Sequence, residues 1–257
     1  MGITFGSFFT LAVYRIPKGE DITHTHSYCP KCNHKLGILD LIPVFSYILL
    51  GGKCRYCKEK IRPRYLILET ISGLFFVVVA YLMKLSIYNL NLLNIIEYSF
   101  MILYFTFIII TSGIDKEHKM INKPLLVYGI IISIMYIVYL YIIEKTSIYR
   151  YVIYLVLFVL ILIIDSITLK KHAKNNYNYS CLIFLIIMSI FTGEYITIIS
   201  IIMTVLVILI DIIIKRLKQS ENIVNDKKYD EKISITFYLS VFNVICFIIL
   251  LAVMRSL

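Results

Sequence analysis

The sequence predicts an all-α polytopic membrane bundle of about eight transmembrane helices, carrying one small zinc-ribbon-like insert. Composition is the first observation behind this: 60% of the 257 residues are hydrophobic and only 16% charged, with a mean hydropathy of +0.84, a balance foreign to soluble domains. The second is the division of the apolar residues into separate runs bounded by charged loops. The third is a pair of Cys-x-x-Cys motifs in the one long polar segment. The formal charge of +10 could suggest nucleic acid. The cations lie in loops between apolar runs, however, where they report topology, so no nucleic-acid partner is expected and membrane lipid is.

The runs that predict spans are Ile3 to Val13, Tyr65 to Met83, Tyr98 to Ile114, Leu125 to Ile143, Tyr151 to Leu169, Cys181 to Phe191, Ile196 to Ile214 and Ile233 to Val253. A span needs about 20 apolar residues, so the first and sixth are short. No basic n-region follows Met1 and no small-residue cleavage site precedes Tyr14, which argues against a signal peptide. The chain divides into a first helix (1–14), a loop with four cysteines (15–64) and a membrane-embedded domain (65–257).

Orientation follows from the cations. The loops Tyr14 to Arg64, Asp115 to Pro124, Lys170 to Ser180 and Lys215 to Lys232 hold 22 of the 26 Lys and Arg residues. By the positive-inside rule these loops face the cytoplasm and both termini lie outside. The Lys215 to Lys232 loop, with alternating charge signs, reads as a solvated connector.

In the first loop, Cys29 and Cys32 (CPKC) and Cys54 and Cys57 (CRYC) are two knuckles separated by 21 residues. Four thiolates at this spacing make a closed tetrahedral site for structural zinc. Disulfides are the competing reading, disfavoured in a reducing cytoplasm. Lys31, Lys53, Arg55 and Lys58 favour thiolates. His24, His26 and His34 read as solvated residues, since four cysteines complete the shell. Cys181 and Cys246 read as packing residues.

Asp115 lies in the polar insert Thr111 to Pro124, which follows the apolar run Tyr98 to Ile110. A carboxylate at the mouth of a membrane helix is costly against lipid, which makes it a candidate site residue; a helix cap or interfacial anchor is the alternative. His118, three residues on, falls on the same side of a helical turn. Asp165 and Asp211 lie at the cytoplasmic ends of their spans.

GSFFTLAVYRIP (Gly6 to Pro17), the two knuckles with DLIPVFSYILLGGKCRYC, IRPRYLILETISG (Ile61 to Gly73) and IDKEHKMIN after the third span together resemble a type IV prepilin peptidase. The resemblance runs in order from about Gly6 to Pro124 and continues as a matching pattern of spans. It implies a multi-pass enzyme of the bacterial inner membrane whose active site and zinc loop are cytoplasmic. Such an enzyme is an intramembrane aspartic peptidase that removes the basic leader of a prepilin or pseudopilin. It also N-methylates the new N-terminus from S-adenosylmethionine, although no Gly-rich nucleotide loop is visible. On this resemblance residues 65–257 are the peptidase domain and Asp115, within Asp-x-x-His, is the first catalytic aspartate. Asp40 and Glu69 match acidic positions suited to recognising a basic leader, with His118 as a further substrate contact; Glu69 could equally complement a helix dipole.

The chain departs from the family at the second aspartate. Where a Gly-x-Gly-Asp motif is expected, Asn178, Tyr179, Ser180 and Cys181 stand instead. Two carboxylates must share a proton for water to be activated and the carbonyl protonated, so a relocated partner is needed. Asp165 is the expected substitute and Asp211 the alternative. A non-cleaving relative that retains substrate binding or methyl transfer is the second reading. A small secondary transporter is the third, and it leaves the four cysteines unexplained.

Overall fold

A computed structural model describes residues 2–22, 24, 26–85, 91–143, 148–171, 177–221 and 233–256, with residues 148, 150, 162, 165–171, 215 and 217–221 described by their backbone alone. The helices are α1 (Gly2–Arg15), α2 (Phe45–Leu49), α3 (Arg64–Leu82), α4 (Leu92–His118), α5 (Lys123–Ile142), α6 (Ile148–Lys171), α7 (Tyr177–Thr192), α8 (Glu194–Glu221) and α9 (Ile235–Ser256). The only β pairing among the described residues is two isolated antiparallel bridges, Tyr28 to Lys35 and Lys53 to Lys60. By length and composition α3, α4, α5, α8 and α9 can each cross a membrane. Their outward faces are apolar, with Val77 on α3, Val127 on α5 and Ile202 and Ile210 on α8 exposed. Such faces call for lipid. The multi-pass helical class expected from hydropathy is the class found.

The chain forms two compact units, Met1–Ile102 and Leu103–Leu257. In the first, α1 and α3 run antiparallel and touch through small residues. A Cβ added at Gly6 would come within 2.6 Å of the Glu69 Cα, and one at Gly73 within 2.7 Å of Ile3 Cγ1. Small residues are how membrane helices bring their backbones together when no hydrophobic driving force separates helix from lipid. Arg15 ends α1 at 2% exposure and donates to the backbone oxygens of Asp21 (2.8 Å) and His26 (3.0 Å), which folds the Cys loop back against the helix.

In the second unit α7 packs against α5, α6, α8 and α9. At 16 residues it spans about 24 Å, less than the hydrocarbon thickness of roughly 30 Å. Helices shield it from lipid: Phe184, Ile187 and Met188 are fully buried. A polar chain runs through this core, from Tyr104 to Asn243 (2.8 Å) and on to Thr192 (2.9 Å), beside Tyr104, Phe191 and Tyr136 in stacked sequence.

Helix ends depart from the apolar runs. α4 continues through Asp115 to His118, and α7 begins at Tyr177, four residues before the expected Cys181. Hydropathy marks where a helix enters hydrocarbon, whereas the helix stops where its carbonyls find caps. In α4, Lys116 and His118 complement the dipole in the last turn, and Lys119 follows at φ 54° with its N–H on the Asp115 carbonyl (2.9 Å).

Candidate functional site

Asp115 sits in the last turn of α4 with no exposed surface. Tyr177, the first residue of α7, donates its hydroxyl to both carboxylate oxygens at 3.0 Å. Thr236, the second residue of α9, donates its backbone N–H (3.0 Å) and its hydroxyl (2.8 Å) to Oδ2. The Tyr177 oxygen in turn accepts the Ile235 N–H at 3.2 Å. One carboxylate therefore joins one helix end to two helix starts, and it satisfies first-turn donors that have no partner inside α9. Lys119 Nζ on Ser234 Oγ (2.6 Å) and Lys116 Nζ 4.0 Å over the Phe237 ring reinforce the same junction. Among the described residues no carboxylate hydrogen-bonds to Asp115.

The other expected acids divide. Asp165 lies on α6, six residues before Lys171, and its side chain is outside the described residues. Asp211 is half-buried on α8. His118 shares the last turn of α4 with Asp115 but is exposed. Cys181 lies one turn along α7 from Tyr177, on the same helix face. Tyr177 and Thr236 went unmarked in the sequence. The signal for Thr236 was Ser-Ile-Thr ahead of an apolar run, a helix-start pattern; Tyr177 offered none.

In the first unit the four cysteines are brought together. Their Sγ atoms lie within 4.8 Å of one another, with Cys29 and Cys57 at 3.9 Å. A tetrahedron with metal–sulfur bonds of about 2.3 Å has edges of about 3.8 Å. All four thiols are unbridged. The two knuckles repeat one geometry: the fourth residue after each leading cysteine, Asn33 or Lys58, has φ near +57° (56° and 59°) and donates its N–H to that cysteine's carbonyl. Burial opposes the Cys29 thiolate, yet the backbone N–H groups of Cys32 and Lys31 bring it down to about 7. The Glu59 N–H favours a Cys57 thiolate, but burial and the other three cysteines push it up to about 12. Sulfurs so close cannot all carry charge without a cation among them, and the set is compatible with zinc.

Asp40 accepts from Arg55 Nε (2.6 Å), Tyr56 (3.2 Å) and the Gly37 N–H (3.1 Å), and its side chain is 5% exposed. Glu69 lies more than a turn inside α3, not at its start, and accepts the Val44 N–H at 2.7 Å. Val44 is held at φ 64°, a strained setting for a β-branched residue. A cavity of about 620 Å³ opens between α1, the Cys loop and the start of α3, with Tyr14, Tyr28, Tyr47, Asp40 and Glu69 in its wall.

Residues 1–83 match the family model of the bacterial peptidase A24 N-terminal domain. The resemblance to type IV prepilin peptidases stands. Over 88 residues, 32% of this chain and 39% of the relative, the sequence is 35% identical to the prepilin leader peptidase/N-methyltransferase of Klebsiella pneumoniae. With the protein of the same name from Vibrio cholerae it shares 40% over 77 residues, 27% of this chain and 30% of that one. The match to the one from Dichelobacter nodosus is 26% identical over 160 residues, covering 50% of this chain and 53% of the relative. The chain thus spans little more than half, or less, of these curated relatives. No solved structure matches the chain.

Proposed function

We propose that this chain is a prepilin leader peptidase and N-methyltransferase, acting on proteins whose short basic leader precedes an apolar helix. The observation that carries this reading is the fully buried Asp115, seated where α4, α7 and α9 meet at the end of the spans that bears the basic loops. In this reading those loops face the cytoplasm of a bacterial cell and the substrate helix enters sideways from the inner membrane. Asp115 activates water. Asp165 on α6 is the second acid in this reading, with α5 and α6 each taken to cross the bilayer so that the chain returns to the Asp115 side. Zinc held by Cys29, Cys32, Cys54 and Cys57 staples the loop. S-adenosylmethionine supplies an electrophilic methyl group for the new N-terminal amine. The 620 Å³ cavity has the size such a ligand needs, with the aromatic Tyr14 and Tyr28 in a wall where Glu59 and Glu69 stand beside Arg15, Arg62 and Arg64. Glu69 and Asp40 help to receive the basic leader, and His118 meets it at the rim.

A second reading, a relative that binds prepilins without cleaving them, is favoured by the Asp115 cradle. Among the described residues its hydrogen bonds come from hydroxyl and N–H donors at the starts of α7 and α9, which tie helices together. Membranes bearing the protein, incubated with a prepilin and S-adenosylmethionine, separate the two by mass spectrometry of the substrate. Leader loss with the parent and none with Asp115→Ala is expected. An uncleaved prepilin that still co-purifies with the parent establishes the second reading.

A further inference from the structure

Between the two knuckles, residues 36–50 read LGILDLIPVFSYILL, and their apolar side chains point outward: Ile38 is 87% exposed, Leu49 83%, Leu39 67%, Phe45 63% and Ile48 62%. A water-facing loop of fifteen residues does not ordinarily expose five large apolar side chains. The segment is also placed level with the membrane helices of its own unit. Its Val44 N–H is bound to Glu69, five residues into α3, about 7–8 Å along that helix at 1.5 Å per residue. α3 has 19 residues, about 28 Å, so it needs nearly its full length to cross hydrocarbon. Leu41, Pro43 and Ser46 line the same cavity as Thr4, Ser7 and Leu11 of α1; Thr4 stands eleven residues from Arg15 at the end of α1, about 16 Å away along the axis. The segment therefore folds alongside the helices, not beyond their ends.

Its polar groups are arranged for such a setting. Asp40 is the single charge between residues 36 and 50, and Arg55, Tyr56 and the Gly37 N–H enclose it. Lys31, Lys35, Lys53, Lys58 and Lys60 flank the segment on either side, where phosphate headgroups would meet them.

We propose that residues 36–50 form a re-entrant element that dips into the bilayer, with Ile38, Leu39, Phe45, Ile48 and Leu49 against lipid acyl chains. The four-cysteine insert is then a membrane-seated cap, not a loop free in water. This stands whether or not the chain cleaves prepilins.

The protein contains no Trp, so one introduced indole reports its own surroundings. Leu49→Trp and Phe45→Trp, each in the full chain reconstituted into phospholipid vesicles, are compared with Lys35→Trp on the exposed edge of the first knuckle. Helical circular dichroism checks that each variant folds. The expected result is a blue-shifted indole at 49 and 45 that loses most of its emission in vesicles of bromine-labelled phospholipid and resists aqueous iodide, with the reverse at 35. Iodide quenching at 49 and 45 as strong as at 35 overturns the proposal. So does shielding from both quenchers, which would mean that protein covers the face.

Discussion

Whatever else Asp115 does, it holds three helices in register, so changes around it must separate a lost junction from lost chemistry. Tyr177→Phe removes the hydroxyl that reaches both carboxylate oxygens and leaves the Ile235 N–H without its acceptor. Groups buried without partners cost about 1–3 kcal/mol each, and thermal unfolding in detergent should show a loss of that order. Thr236→Val keeps the backbone N–H and removes only the side-chain donor, so its loss should be the smaller, about 1 kcal/mol. Equal losses from the two would mean that Tyr177 is not the principal tie. In the sequence, Asp115 was legible because an acid beside hydrocarbon is rare and costly. Its partners were not, because Tyr177 and Thr236 are neutral, sit at helix starts, and lie 62 and 121 residues away.

Elements show where spacing carries information and where it does not. Two Cys-x-x-Cys motifs encode a local turn twice over, so the four-sulfur cluster is legible in the sequence. The expectation for that cluster is one zinc ion per chain, measured by elemental analysis. Cys54→Ser should lose it while the membrane helices keep their circular dichroism. The pairing of α1 with α3 was not readable, since a glycine in an apolar run does not say which backbone approaches it. Gly6→Leu should force the helices apart and lift Glu69 from Val44, at a cost of about 1–3 kcal/mol; Gly37→Ala, which meets only Asp40 Oδ2 at 3.7 Å, should be tolerated in the same melt. Asp40 adds a pH dependence. The hydrogen bond from Arg55 holds its carboxyl below the usual carboxylate range, against the opposing effect of burial. A depressed folded value means stability that is present above the unfolded value of about 3.9 and is lost as pH falls through the folded one. Limited proteolysis of the loop should therefore find Asp40→Asn weaker than the parent at neutral pH, with the difference closing in acid.

Across the whole molecule, alternation of strongly basic connections with sparsely charged ones bears on which chemistry is open to each side. Four loops of the sequence hold 22 of the 26 Lys and Arg residues, and by the positive-inside rule an orientation that carried them across hydrocarbon is disfavoured. Under the proposed function, the opposite orientation would place the cysteines in an oxidising compartment, where disulfides compete with a metal for thiolates, and would remove Asp115 from the side on which a basic leader is retained. In that proposal, orientation, zinc and leader cleavage stand or fall together. A green fluorescent protein and an alkaline phosphatase, each inserted within the loops 115–124 and 143–150, test the joint. Fluorescence without phosphatase activity is expected at 115–124 and the opposite at 143–150. Phosphatase activity at 115–124 would place Asp115 and the four thiols on the outer face, and with them would go the zinc site and the route by which a leader reaches the carboxylate.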